Sequence, residues 1–299
     1  MFKPVRSVFY LILCCLLMVS SAIAKDLTSV KQGLLWSVDK PGYATSYVFG
    51  TMHSEDERIL AVVEKVKDTL SSTGCLALEI DLNPLNAAKV MQAMFFTDGR
   101  KLKDLLEKDV YSKVVAVVSN EHGLLEPQVN SMKPWALMML LSAPKAETGM
   151  FLDRALYLLS IERNYKVVGL ETPEEQIDVF DTMSLTDQIA LLETTLNTYE
   201  QMPEMFEKMV AVYLAQDLAE MEGLYDEYTK DTNAELVDQL TERLLVKRNE
   251  LMVERMTSLF KDRACFTAVG ALHIPGEQGI VRKLIKEGFV VRQVDLVLQ

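Results

Sequence analysis

The chain has 299 residues, with 43 acidic against 31 basic side chains and a formal net charge of −12. That balance excludes nucleic-acid binding through a phosphate footprint and draws cations rather than anions. At 49% hydrophobic residues, there is enough apolar material for one large domain or two small ones.

The first segment reads as an address rather than as part of a fold. Lys3 and Arg6 precede an uncharged apolar run, residues 7–20, and Ala22-Ile23-Ala24 supplies small residues at cleavage positions. This is the pattern of a secretory signal peptide over residues 1–24, with an apolar core too short to span a bilayer. Cys14 and Cys15 lie inside that core without a small residue before them, which disfavours lipid attachment. The expectation is a mature α/β domain over 25–299, exported to the periplasm, with no stable membrane insertion after cleavage.

Residues 34–38 and 46–50 are predicted as a β-hairpin turning at Lys40-Pro41-Gly42. Residues 54–70 follow as a helix, with Ser54 as N-cap, acids in the first turn, and a stripe of Ile59, Val62, Val63, Val66 and Leu70. CLALEI, residues 75–80, is a short buried strand. Residues 84–159 are helical, broken at Asp98-Gly99, Pro127, Pro134 and 144–149; His122, before Gly123, reads as a helix C-cap. Residues 166–170 form another strand. A strongly acidic helical block, 173–260, opens on Thr172-Pro173-Glu174-Glu175, a cap with proline at the first helical position. Strand 265–272, helix 279–287 and strand 289–297 complete the chain. The 16 methionines fall mostly in the helices, as flexible core filler.

Strands alternate with helices at both ends and a helical block fills the middle. The predicted fold is therefore α/β, a mixed central sheet formed by N- and C-terminal strands with a large helical insertion. Cys75 and Cys265 each open an apolar run. On neighbouring strands they would form a disulfide in an oxidising compartment; two buried free thiols are the equal alternative.

The apolar runs share an ending. YVFGTMH stops on His53, CLALEI carries Glu79, YKVVGLE stops on Glu171 and CFTAVGALH stops on His273. Two of the three histidines stand in a Gly-x-x-His frame, roughly a one-in-200 coincidence on composition alone. Glycines at 50 and 270 permit close approach of another group at a strand end. The carboxyl ends of strands in an open α/β sheet line one crevice. Two imidazoles and two carboxylates there point to a divalent-metal site, with one Glu free to act as general base. His-Glu-x-x-His, Gly-x-Ser-x-Gly, Walker and dinucleotide-binding signatures are absent.

LLWSVDK, SYVFGTMH, CLALEID, FLDRALYLLSIERNYKVVGLETPEEQ, LLVKRNELMVERM and FTAVGALHIPGEQGIVRKLIKEGFVVRQV together resemble the TraB/PrgY/GumN family, which is related to the TIKI metalloproteases. The segments span nearly the whole mature chain in the family's order. The resemblance implies a shared α/β fold, paired Gly-x-x-His motifs at Gly50–His53 and Gly270–His273, an acidic position at Glu79 and a Gly-Leu-Glu-Thr element at 169–172. For TIKI-like members it implies metal-dependent peptide hydrolysis with manganese or cobalt; other relatives are associated with limiting a peptide pheromone. Gln216 stands where family members often carry glycine, and Leu272 where a smaller residue is common.

The resulting expectation is a metal-dependent hydrolase, most simply a peptidase. Manganese, cobalt or zinc would sit on His53, Glu79 and His273, and Glu171 would act as ligand or base. Arg154 or Arg248 would hold an oxyanion or a substrate carboxylate; the alternative for each is a salt bridge to helical acids. Gln176 would orient Glu171 or simply be helix-surface polarity. The competing expectation is a non-catalytic protein that binds a peptide or small molecule in the same crevice.

Overall fold

The computed structural model describes residues 30–230 and 232–298. The signal-peptide reading of residues 1–24 lies outside the described residues.

The described residues build a six-stranded sheet from β1 (Leu35–Asp39), β2 (Ser46–Thr51), β3 (Cys75–Ile80), β4 (Lys166–Glu171), β5 (Phe266–Gly270) and β6 (Val290–Gln293). Their spatial order is β4-β3-β5-β2-β1-β6. The inner pairs β2/β5, β5/β3 and β3/β4 are parallel, whereas β1 runs antiparallel to both β2 and β6. The mixed sheet with a large helical insertion is thus the observed architecture. It takes that form because β3 and β5 are nearly continuous apolar runs, which suits strands covered on both faces. β1 reaches β2 through the turn at Lys40, where Tyr43 N–H bonds the Lys40 carbonyl at 3.0 Å. Gly42 holds a φ of +85° in that turn, a conformation that glycine adopts without cost.

Cys75, which opens β3, and Cys265, which immediately precedes β5, are buried and form a disulfide, with Cα atoms 4.6 Å apart. The register explains the pairing: Leu76 stands opposite Phe266 in the parallel β3/β5 ladder, so the preceding cysteines also face each other.

Helices 84–162 and 173–262 form the insertion, with β4 between them. Their apolar faces build a second core around Leu102, Val114, Trp135, Leu137 and Leu192, separate from the core against the sheet. Thr172 caps its helix through a capping box with Glu175, as predicted. His122 ends its helix before Gly123, whose φ is +69°, also as predicted.

Three boundaries differ from the sequence reading. The helix predicted over 54–70 is two pieces, Glu57–Leu60 and Val62–Thr73, and its cap is Asp56 rather than Ser54. The Ser54 hydroxyl instead accepts from Asp56 N–H, which tightens the entry turn. β5 stops at Gly270, and Ala271–His273 is a short 3-10 turn. No ladder extends further, because β2 ends opposite Gly270 and β3 pairs only as far as Ala268. β6 is confined to Val290–Gln293, where β1 supplies partners.

Gln216 has a φ of +56°, which accounts for the glycine common at this position in the family. Its side-chain amide donates to the Leu296 carbonyl at 2.6 Å, offsetting the left-handed backbone. Gln216→Ala keeps the backbone cost and loses that bond, whereas Gln216→Gly removes both. Urea unfolding should therefore find the glycine variant about 1 kcal/mol more stable than the alanine variant and close to wild type. Equal stability of the two variants would remove this account.

Candidate functional site

The parallel strands deliver their carboxyl ends to one crevice. Thr51 ends β2, Glu79 lies one residue from the end of β3, Glu171 ends β4 and Gly270 ends β5. The glycines act as expected. A Cβ on Gly50 would lie 2.9 Å from Ile274 Cδ1 and 3.1 Å from Ala271 Cα. One on Gly270 would lie 3.3 Å from Glu79 Oε1. Each Gly-x-x-His frame thus lets the segment after β5 close onto the sheet edge.

At the floor, Arg248 joins the two strand-end carboxylates. Its Nη2 donates to Glu79 Oε2 at 2.5 Å and to Glu171 Oε2 at 2.7 Å, and its Nε to Glu171 Oε1 at 2.9 Å. The Gln176 amide donates to both acids at 3.2 Å, and Gly270 N–H donates to Glu79 Oε1 at 2.7 Å. Gln176 therefore does orient Glu171, and Arg248 is paired with the site's own acids. Burial works against the charged form of Glu79, but His273, Arg248 and His53 together hold its carboxyl well below the usual range.

His273 is buried beside this cluster, with Nε2 3.6 Å from Glu79 Oε1. Its Nδ1 lies 2.6 Å from Asn249 Oδ1, while Asn249 Nδ2 donates to the Gln278 carbonyl at 2.9 Å. The amide orientation makes Asn249 Oδ1 the acceptor, so the imidazole proton sits on Nδ1. Burial, opposed by Glu79 and reinforced by Arg248 and His53, pushes the His273 pKa down to about 4. Against an unfolded value of about 6.5, the unfolded chain takes up this proton first. The neutral ring's contribution is fully present above pH ~6.5 and is lost as the pH falls towards 4, at up to ~1.4 kcal/mol per pH unit. Denaturant titrations between those limits should show this slope in wild type and a flatter one in His273→Gln. Identical slopes would contradict it.

His53 is 59% exposed at its side chain and stacks on Phe151, with ring centroids 5.0 Å apart. Its Nδ1 lies 3.7 Å from Asp153 Oδ2. Asp153 is buried, accepts from the Thr51 hydroxyl at 2.8 Å, and among the described residues leaves Oδ2 without a hydrogen-bond partner. Burial raises its pKa, against the opposing pull of His53. Asp153 and Asn249 are the site residues that sequence reading missed. A signal existed for Asp153: Leu156 and Ser160, three and seven residues on, are also buried, so this acid stands on a core-facing helical stripe. Arg154 is directed elsewhere, and its Nη1 donates to the Gly149 carbonyl at 3.0 Å.

The expectation of a metal-dependent hydrolase is corrected here. Among the described residues, no group of three or more His, Cys, Asp or Glu side chains is arranged to hold a metal ion. Manganese, cobalt or zinc on His53, Glu79 and His273 does not fit this site. The reason is local: Arg248 already supplies the cation for Glu79 and Glu171, Asn249 engages His273, and His53 turns towards Asp153. The metalloprotease reading loses its metal centre with them.

Several cavities border the site, and two of them reach its histidines. One, of about 320 Å³, is lined by Thr51, Met52, Met209, Tyr213, Met221, Leu244, Leu245, Arg248, Leu272 and His273, among others. A π-helical turn, Glu242–Val246, carries Leu244 and Leu245 into this wall just before Arg248. Such turns are rare and concentrate at functional sites. The other cavity, of about 790 Å³, extends from His53 between Phe151, Tyr199 and Phe206.

Metalloprotease TIKI2 of Danio rerio is 23% identical over 323 residues, covering 89% of this chain and 61% of that protein. Metalloprotease TIKI1 of Homo sapiens is 22% identical, covering 89% of this chain and 63% of that protein. An uncharacterized protein of Treponema pallidum is 23% identical over 60% of this chain. The chain thus spans less than two thirds of the length of these TIKI relatives, and no solved structure matches it. The TraB/PrgY/gumN family model matches residues 34–293, from the first strand through the last and including every residue of the strand-end crevice, and the chain belongs to that family.

Proposed function

We propose that this chain binds, and thereby sequesters, a peptide or small molecule in the crevice at the carboxyl ends of its parallel strands, without cleaving it. The observation that carries this reading is the Arg248 bridge between Glu79 and Glu171. The acids at the floor are matched by a guanidinium, and a cavity of about 320 Å³ lined by Arg248 and His273 opens there. Apolar walls with a few convergent polar groups are the usual make-up of a binding pocket. In this reading Arg248 and His273 form the polar floor, His53 and Phe151 the entrance, and Arg154 steadies the loop at Gly149. The word metalloprotease describes the relatives that carry it.

The reading includes export of a single mature domain, 25–299, to the periplasm. Its support is the leader-like composition of residues 1–24 and the Cys75–Cys265 disulfide, which suits an oxidising compartment. Among the described residues, no helix is long and apolar enough to cross a membrane.

The test uses the chain without its leader, kept in chelator and incubated with a mixed peptide library. Mass spectrometry should recover bound peptides intact, and His53→Ala with Phe151→Ala should release them. Failure to retain any peptide or small molecule, or recovery of peptides only as fragments, would overturn the proposal.

A further inference from the structure

The larger cavity has a charge as well as a shape. Its walls carry Glu55, Asp56, Glu121, Glu200 and Glu207, while Lys145 is the lysine among them. These acids are not equivalent. Glu55 is engaged by the chain itself: Gly149 N–H donates to it at 2.6 Å, and the Glu147 and Thr148 N–H groups at 2.9 Å. Those bonds pin loop 147–149 along the rim. Arg58 satisfies Asp56 and Glu207, at 2.6 and 3.0 Å. Glu121 and Glu200 remain, and neither has a salt-bridge partner within 4.0 Å among the described residues.

Both unpaired carboxylates line the cavity together with aromatic rings. Glu200 follows Tyr199 directly in the chain. Glu121 lines the same cavity as Tyr199. Phe151, Phe206 and His53 also line it. A cavity that joins aromatic faces to unmatched acceptors attracts a cation twice: by charge, and by the negative face of each ring. The chain's net charge of −12 adds long-range steering of the same sign.

We infer that the 790 Å³ cavity selects a cationic ligand, a lysine- or arginine-bearing peptide segment whose apolar stem lies on Phe151, Tyr199 and Phe206 while its charged end reaches Glu121 and Glu200. Lysine and arginine side chains have this divided character, an apolar stem with a charged tip. The inference rests on the proposed ligand-binding function, shares His53 with its entrance, and names the class of ligand.

The experiment compares fluorescent peptides of one length and one aromatic content, carrying lysine, glutamine or glutamate at the same positions. A simple alkylamine serves as the small-molecule source of the same ammonium chemistry. Binding to the chain without its leader is measured by anisotropy at low and high salt. The lysine peptide should bind roughly five- to tenfold more tightly than the glutamine peptide, and salt should erase the difference. Glu121→Gln with Glu200→Gln should abolish that preference and leave the glutamine peptide unchanged. Both positions are exposed, so the fold should tolerate the change. Alkylamine binding lost in the same variant would extend the selectivity to small cations. Equal binding of lysine and glutamine peptides would overturn the inference and leave the binding function standing. A lysine preference that survives in the double variant would place the selectivity outside this cavity and also overturn it. Binding of none of the probes would remove both.

Discussion

Arg248→Met is expected to destabilise the protein by about 3–5 kcal/mol, the cost of leaving buried carboxylates without their cation. Arg248 is 13% exposed at its side chain, Glu79 14% and Glu171 1%, so solvent replaces the guanidinium only in part. Gln176 and the Gly270 amide would still donate, but neither carries charge. Neutralising the acids should rescue the variant. Arg248→Met combined with Glu79→Gln and Glu171→Gln is expected to recover most of the loss, because the penalty lies in uncompensated charge rather than in missing contacts. Arg248→Lys should fall between the extremes, since an ammonium cannot match the fork that spans both acids. Urea unfolding of the four proteins provides the measurement. An Arg248→Met variant within 1 kcal/mol of wild type would mean that the acids do not depend on this guanidinium, and the floor of the proposed binding site would need another explanation.

Removing the Cys75–Cys265 disulfide is the second large effect. The bond joins residues 190 positions apart, across the whole helical insertion. Chain-entropy reasoning for a loop of that length gives about 5 kcal/mol, towards the top of the usual range. Both sulfurs are buried between β3 and β5, so native protein should resist reductant while unfolded protein should not. Cys75→Ala with Cys265→Ala is expected to lower stability by about 4–5 kcal/mol. Wild type unfolded and refolded in reductant should show a similar loss. A cost below 1 kcal/mol in both experiments would mean that strand pairing alone confines the denatured chain. If export to an oxidising compartment is correct, reduced protein should also be the fraction that degrades in cells.

Local sequence determined much of this protein. Apolar run length and turn residues located the six strands to within a few positions, because buried strands must be short, apolar and punctuated. Cap chemistry placed the helix at Thr172 and the end at His122 for equally local reasons. The glutamates of β3 and β4 and the glycines of the two Gly-x-x-His frames lie near strand ends, and strand ends in a parallel sheet collect at one edge. What those residues do once collected was not legible. Residue type alone made two imidazoles and two carboxylates look like a metal site. Arg248, after a π-helical turn far along the chain, reaches back to both acids, and Asn249 beside it takes His273. A carboxylate's partner depends on which side chain arrives within three ångströms, and packing of distant helices decides that. The pairing of Cys75 with Cys265 depended in the same way on β3 lying next to β5 rather than on anything adjacent to either cysteine.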